Sequence, residues 1–304
     1  MQLFLGFFIV IFCVFGGFLI HGGNLGVIWQ PIELLIIGGA GLGAIVVGNP
    51  RHVLTEMSLQ LRKVLTPRKR DAFEFQRQLL LLMYELLQTA AGGLKALDAH
   101  VEEPHKSQLF KNYPMVLEEP KLLHFIVDNF RLMAMGKINE HELEGVLDQE
   151  LEAIDEELNQ PAKSLHKIGE AMPGFGILAA VLGIVMAMNS VGDGAGAAEI
   201  AAKVAAAMVG TFIGIFLCYA VIDPISNIMK QNVKSEMSTM ECVKVVLVTH
   251  LSGKPALLAI DAGRRLVQLN IKPSFSQLEG WINALSGVEE EKPQFNRRAG
   301  DRRG

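Results

Sequence analysis

The sequence predicts an all-α, polytopic membrane protein with four transmembrane helices and a large helical cytoplasmic insertion. Four runs of mostly apolar residues, at about 3–20, 32–49, 173–191 and 201–222, each reach the roughly 17 to 25 residues that a helix needs to cross a bilayer. The remainder of the chain shows helical rather than alternating periodicity, and patterns typical of strands are nearly absent.

The first apolar run differs from a cleaved secretory signal. No basic segment precedes it, no small-x-small cleavage site follows it, and a second span begins within about a dozen residues. We therefore expect the first run to remain in the protein as a membrane helix.

Basic residues predict the orientation of the spans. Residues 50–172 hold 15 Lys and Arg, residues 225–304 hold 12, and the remaining one, Lys203, follows the third span. Loops rich in Lys and Arg stay in the cytoplasm. Both large soluble segments and both termini are therefore predicted to be cytoplasmic, and the two short connections face the opposite compartment.

This orientation divides the chain into five predicted regions. Residues 1–49 form transmembrane helices 1 and 2, 50–172 a cytoplasmic helical domain, and 173–222 transmembrane helices 3 and 4. Residues 223–288 continue helix 4 into the cytoplasm, and the charged tail 289–304 is predicted to be disordered, solvated or in contact with anionic lipid head groups.

Helix signals within the soluble regions are specific. Residues 73–91 place leucines on one face, which predicts a buried helix. Asn139, followed three residues later by Glu142, predicts a helix start. No stop signal follows the fourth span, so its helix is expected to continue to about Leu251, with a kink at Pro224.

No motif of a soluble active site or metal site is present in the sequence. His100 and His105 stand near acidic residues, but they lack H-E-x-x-H spacing and a solvated loop around Pro104 explains them better. The three cysteines form no disulfide framework. The sequence predicts no enzyme, no metal and no cofactor.

Small residues four positions apart predict close packing of the membrane helices. The pairs are Gly39 with Gly43, Ala179 with Gly183, and Gly210 with Gly214. We expect the third and fourth spans to face other helices, whereas the Phe- and Leu-rich first span faces lipid.

Polar side chains within the spans are candidates for function because they are costly in hydrocarbon. Glu33 lies at the outer end of the second span, and Asp223 lies at the cytoplasmic end of the fourth. Thr211 lies halfway along the fourth span, where it either lines an ion path or bonds to the carbonyl one turn back. No carboxylate stands in the middle of a span, so an ion path would be incomplete.

Five segments carry a resemblance along nearly the whole chain. They read VFGGFLIHGGNLGVIWQP, QPIELLIIGGAGLGAIVVGNP, IVDNFRLMAMGKI, MPGFGILAAVLGIVMAM and MVGTFIGIFLCYAVIDPI. In these segments the chain resembles the MotA family of flagellar stator subunits, which is related to the ExbB and TolQ proteins.

The resemblance implies a multi-pass protein of the bacterial inner membrane. Five A-type subunits would surround two copies of a MotB-type, peptidoglycan-anchored partner, whose single span carries the titrating aspartate. Ion flow would then drive torque on the rotor protein FliG. The missing carboxylate would belong to another chain.

The resemblance also implies roles for individual residues. Pro173 and Pro224 match family prolines that matter for the conformational step, and Thr211 matches a hydroxyl that lines the ion path. Ala180 and its neighbour Ala179 stand where sodium-driven relatives tend to show a further hydroxyl. Fewer oxygen ligands favour protons over sodium.

The rotor-facing charges depart from the family pattern. Asp98 matches the expected acidic residue, but Ala90 and Ala91 stand near the expected basic position, and Lys95 is the nearest substitute. Lys95 and Asp98 are therefore the predicted rotor contacts.

Two alternative functions stay open from the sequence. An ExbB- or TolQ-type energy transducer would usually have three spans and an external amino terminus. A non-conducting membrane scaffold would have no ion path at all.

Overall fold

The computed structural model describes residues 2–66, 71–136, 138–192 and 194–286. These residues contain no strand, and their helices form two compact units. The membrane unit comprises residues 1–68 and 152–235, and the helical unit comprises 69–151 and 236–304. The predicted disordered tail, 289–304, lies outside the described residues.

Four helices of the described chain are long and apolar enough to cross a membrane, as predicted. In the amino-terminal part, α1 is Gln2–Ile20, α2 Leu25–Ile28, α3 Pro31–Gly48 and α4 Arg51–Leu65. Pro31 occupies the first turn of α3, where its missing N–H costs no intrahelical hydrogen bond.

The helical unit contributes five helices before the third span. These are α5 Ala72–Ala91, α6 Leu94–Val101, α7 Gln108–Lys111, α8 Pro114–Leu117 and α9 Pro120–Ala134. The predicted buried helix at 73–91 is confirmed by α5, in which Leu79, Leu82 and Leu86 are fully buried.

The third span belongs to a helix of 53 residues, α10, Glu140–Gly192. Its predicted start is confirmed: the Glu142 N–H donates to Asn139 Oδ1 at 2.9 Å, and the Asn139 N–H donates to Glu142 Oε2 at 3.1 Å. This reciprocal pair is a capping box. Pro173, where the third span is predicted to begin, lies inside this longer helix.

The fourth span continues without a stop, as predicted. Helix α11, Ala197–Phe216, passes into a π-helical segment, Leu217–Ile222, and then into α12, Asp223–Leu251. Proline lacks an N–H and its ring clashes with the carbonyl four residues earlier in an α-helix. The wider π turn just before Pro224 relieves both problems, so irregular winding precedes this proline.

The first span is the most exposed of the four candidate membrane spans. Phe4, Phe8 and Phe12 on α1 point outward, consistent with the predicted lipid-facing surface. On its other side, Phe15 makes edge-on contacts with the rings of Phe212 and Phe216 at centroid distances of 6.2 and 5.6 Å.

The glycines of the second span divide between two faces. At Gly41 an added Cβ would clash with the Cε atom of Met172, so α3 packs closely on α10 here. At Gly39 and Gly43 a Cβ would meet nothing within 4 Å. The predicted packing of Gly39 and Gly43 is therefore not made within the described part of this chain.

The helical unit is completed by α13, Ala256–Arg264, and α14, Phe275–Ser286. Helix α5 packs against α13, α14 and α6. Gly263 lets α13 approach α12, since a Cβ there would lie 3.0 Å from the carbonyl oxygen of Cys242. Asp261, also on α13, is buried and paired with Arg264 at 2.6 Å and Arg265 at 3.0 Å.

Candidate functional site

The third and fourth spans pack antiparallel along one continuous line of contacts. We call this line the seam, formed by residues 162–183 of α10 and residues 207–226 of α11, the π-helical segment and α12. Its contacting pairs run from Gly183 with Ala207 at one end to Ala162 with Ser226 at the other. The Ser226 hydroxyl is fully buried and donates to the Ala162 carbonyl at 3.0 Å.

Glycine makes the middle of the seam narrow. An added Cβ at Gly176 would lie 2.8 Å from the Gly210 carbonyl oxygen, and one at Gly214 would lie 2.6 Å from the Met172 carbonyl oxygen. These neighbours are backbone atoms and cannot rotate away. The small-residue packing predicted for Gly210 and Gly214 is therefore present, with Gly176 as an additional contact.

Thr211 and Ala180 lie in this narrow stretch. A Cβ on Gly176 would be 3.2 Å from the Thr211 Cα, and one on Gly210 would be 3.5 Å from the Ala180 amide nitrogen. Thr211 is half-buried and Ala180 is 9% exposed. No hydrogen bond joins the Thr211 hydroxyl to another described residue, so the bond to the carbonyl one turn back is absent and the hydroxyl is free for a ligand.

Glu33 reaches the same seam from the second span. It lies in the first turn of α3, at the end expected from the sequence, but its side chain is only 8% exposed. Its Oε1 lies 3.7 Å from the position of a Cβ on Gly183, opposite Ala207. Ala207 is one helical turn, about 6 Å, from Thr211. Sequence reasoning placed Glu33 at the outer end without detecting that it points inward.

The end of the seam near Ala162 and Ser226 holds a second polar group that sequence reasoning missed. His166 Nδ1 lies 2.6 Å from Asp223 Oδ1, and His166 Nε2 lies 3.6 Å from Glu170 Oε1. Asp223 was recognised as a polar residue at the end of the span, but His166 lies 57 positions away in sequence and no local pattern joins them.

The two predicted coupling prolines flank this end of the seam on opposite helices. Pro173 has no N–H to donate to the carbonyl of Gly169, and Gly169 packs against Ile222. Pro224 directly follows Asp223 and the π-helical segment. Each helix thus lacks one backbone N–H donor near the contact of Gly169 with Ile222.

Beyond the Gly183 end of the seam, Lys203 pairs with Glu199 at 2.9 Å, as their spacing predicted, and donates to the Ser190 hydroxyl at 2.5 Å. The predicted rotor contacts lie elsewhere, on α6 of the helical unit. Asp98 is exposed there, and the Lys95 side chain lies outside the described part of the chain.

Comparison with known proteins decides the family. Residues 4–93 match the model described as "Motility protein A N-terminal", and residues 119–242 match the "MotA/TolQ/ExbB proton channel family". The chain is 51% identical to "Chemotaxis protein LafT" of Vibrio parahaemolyticus, with 94% of this chain and 100% of that protein covered. It is 37% identical to "Motility protein A" of Salmonella typhimurium, with 96% and 98% covered. The chain belongs to the motility protein A (MotA) family.

Solved structures share the MotA fold. "Structure of C. jejuni MotAB" aligns with a TM-score of 0.69 at 16% identity and covers 88% of this chain and 96% of that one. "Structure of the flagellar MotAB stator complex from Bacillus subtilis" gives 0.66 at 20% identity, with 91% and 98% covered. The chain thus belongs to the MotA family, within the MotA/TolQ/ExbB proton channel family, and has the fold of the solved MotAB proteins, so the family and the all-α membrane fold predicted from its sequence are confirmed.

Proposed function

We propose that this MotA-type subunit carries protons along the seam at the level of Thr211 and converts their passage into torque on the rotor. The titrating carboxylate at that level comes from the aspartate of a MotB-type partner. The site residues of this chain are Thr211 and Ala180 in the path, Glu33 towards the outer end, and Pro173 and Pro224 for conformational coupling.

The observation that carries the proposal is the free Thr211 hydroxyl in a seam of glycine and alanine. Small side chains on both helices let another helix approach this level closely. A hydroxyl without an intrahelical bond can donate to a carboxylate or accept from its protonated form. Among the described residues, the nearest acid of this chain is Glu33, one turn towards the outer end, so the group that titrates beside Thr211 comes from outside the chain.

The donor set at Thr211 favours protons over sodium. Ala179 and Ala180 oppose Gly210 beside Thr211, and their methyl groups offer no oxygen ligand. A dehydrated cation needs several oxygen ligands, whereas a proton needs one acceptor.

Proton passage supplies energy that packing changes in the seam can use. One elementary charge crossing the membrane releases about 2.3 kcal/mol per 100 mV. Protonation of the partner aspartate removes a charge held next to the seam. The weak backbone hydrogen bonding at Pro173 and Pro224 then lets the two helices shift without breaking a regular turn.

The proposal extends to the assembly of the stator complex. Five copies of the chain surround two MotB-type subunits in the bacterial inner membrane, with both termini in the cytoplasm and lipid against α1. The outward-facing Gly39 and Gly43 suit contact with a neighbouring copy. The helical unit acts on the rotor protein FliG through Lys95 and Asp98.

Substitution of Thr211 tests the path. In cells without their own stator, co-expression with a MotB-type partner allows cytoplasmic acidification and tethered-cell rotation to be measured together. Thr211→Val should lower proton uptake by about tenfold, which is a rate effect of about 1.4 kcal/mol and within the cost of one lost buried hydrogen bond. Thr211→Ser retains the hydroxyl and is the matched control. Normal uptake and rotation in Thr211→Val would contradict the proposal.

A further inference from the structure

The cytoplasmic end of the seam holds an imidazole between two carboxylates. His166 on α10 accepts or donates a short hydrogen bond with Asp223, at 2.6 Å between Nδ1 and Oδ1. Its other ring nitrogen faces Glu170 on the same helix, at 3.6 Å. With Asp223 ionised, the Nδ1–H donates to Oδ1 and Nε2 is left free to accept a proton.

This group continues the line of Thr211. Gly176 packs at the level of Thr211, and His166 is ten residues further towards the cytoplasm on the same helix, about 15 Å along its axis. Between these levels the seam passes Met172 and then Gly169. Pro173 has no N–H to donate to the Gly169 carbonyl at this point of the line.

Exposure at this end suits release to water. The side chain of His166 is 35% exposed and that of Asp223 is 26% exposed, so both contact solvent while remaining held between helices. Glu170, at 65%, lies on the solvent side. The dyad therefore stands where the buried seam opens to water.

Neighbouring elements add neutral groups at this level. Asn49, directly after α3, bonds to Ser164 at 2.6 Å, and Cys218, in the π-helical segment, is buried. Among the described residues, the charged groups within 4 Å of the His166 ring nitrogens are Asp223 and Glu170.

We propose that His166, held by Asp223, is the proton-release site of the seam. This inference rests on the proposed function, because it requires protons to pass Thr211. Histidine is suited to the task because its charge changes between about pH 5 and 8.

The release step is balanced in protons. A hydronium or protonated group arriving along the seam gives one proton to His166 Nε2, and the ring becomes imidazolium between the Asp223 and Glu170 carboxylates. The N–H bond at Nε2 then breaks, the proton passes to cytoplasmic water, and the ring returns to the neutral tautomer with Nδ1–H on Asp223. No bond of the carboxylates changes in the cycle.

Four variants test the dyad in cells that co-express the MotB-type partner. His166→Gln and Asp223→Asn should each lower proton uptake by about 10²-fold, the low end of the effect of a positioned proton-transfer group. Asp223→Glu, which keeps the carboxylate, should retain most of it. The matched control is His141→Gln, which removes an exposed histidine paired with Glu140 at 3.7 Å in the helical unit.

Two further readouts separate proton release from a structural role. Lowering cytoplasmic pH with a permeant weak acid should slow uptake in the wild type more steeply than in His166→Gln, because imidazolium releases its proton less readily to an acidic cytoplasm. Added imidazole should partly restore uptake in His166→Ala and not in Thr211→Val. A lowered uptake with a wild-type pH profile and no imidazole rescue would overturn the proposal.

The outcomes distinguish this inference from the proposed function. If wild-type uptake is present and both His166→Gln and Asp223→Asn match it, the release site is refuted and the path at Thr211 stands. If the wild type takes up no protons with its partner, the proposed function itself fails. If His166→Gln does not accumulate in the membrane, the test rests on the proton uptake of Asp223→Asn. Asp223→Glu is then its control.

Discussion

The close approach of the two helices in the seam can be tested by a substitution that adds one carbon atom. Gly176→Ala places a Cβ 2.8 Å from the Gly210 carbonyl oxygen, whereas ordinary contact begins at 3.4 Å, so the helices must separate by the difference, 0.6 Å. Overpacking of this kind costs about 1 to 3 kcal/mol. The change also introduces a better helix former, which offsets up to about 1 kcal/mol.

Gly174→Ala is the matched control for this prediction. It lies two residues away on α10, and its Cβ would meet nothing within 4 Å. The control therefore carries the gain in helix propensity without the clash. Subtracting its effect from that of Gly176→Ala isolates the packing term.

The assay is the midpoint of thermal unfolding of the purified protein in detergent, followed by proton uptake in cells. We expect Gly176→Ala to unfold at a lower temperature than the wild type and to reduce uptake, and Gly174→Ala to match or exceed the wild type in both. Equal midpoints for the two variants would refute the close approach of the third and fourth spans at Thr211.

The remaining predictions concern the helical unit. Asn139→Ala removes the side-chain cap of α10 and should cost about 1 kcal/mol, seen as a lower unfolding midpoint, whereas Asn159→Ala, within the same helix, should change it little. Burial opposes ionisation of Asp261, but hydrogen bonds from two arginines outweigh it and lower its pKa from the ordinary value of an aspartate. Its contribution to stability is thus complete above the unfolded-state pKa, about 4, and is lost as the pH falls through the lower folded-state pKa. Asp261→Asn should therefore be destabilised at pH 7 and approach the wild type in acid; a constant difference would contradict this pairing. Reversing the charges of Lys95 and Asp98 together should lower torque at low ionic strength, because each exposed ion pair with the rotor contributes about 0 to 1 kcal/mol. Unchanged torque would contradict the proposed rotor contact.

Signals from neighbouring residues in the sequence were sufficient to predict these helices. The capping pair Asn139 and Glu142 and the leucine face of α5 are confirmed because caps and amphipathic faces depend on residues within one or two turns. Pro173 was predicted at the start of the third membrane span, and the structure adds that α10 is already helical before this proline.

The candidate site likewise contains residues that the sequence indicates and contacts that only the packing of helices creates. Thr211 could be identified from the sequence because few hydroxyls occur within the apolar spans, and Glu33 because a carboxylate is costly even at the end of an apolar span. That Glu33 turns inward against Gly183 and Ala207 follows from the packing of α3 on two other helices. The pairing of His166 with Asp223 likewise depends on the antiparallel register of α10 with the fourth span.

The sequence by itself therefore determined that this chain has four helices long and apolar enough to cross a membrane, and which family it resembles. These properties follow from the length and order of apolar runs and from extended motifs, both of which are carried by neighbouring residues. Only the tertiary structure decided which glycines are in contact, that the Thr211 hydroxyl is free, and that His166 meets Asp223. Those facts depend on the register between helices, which is set by side-chain packing across residues far apart in the chain.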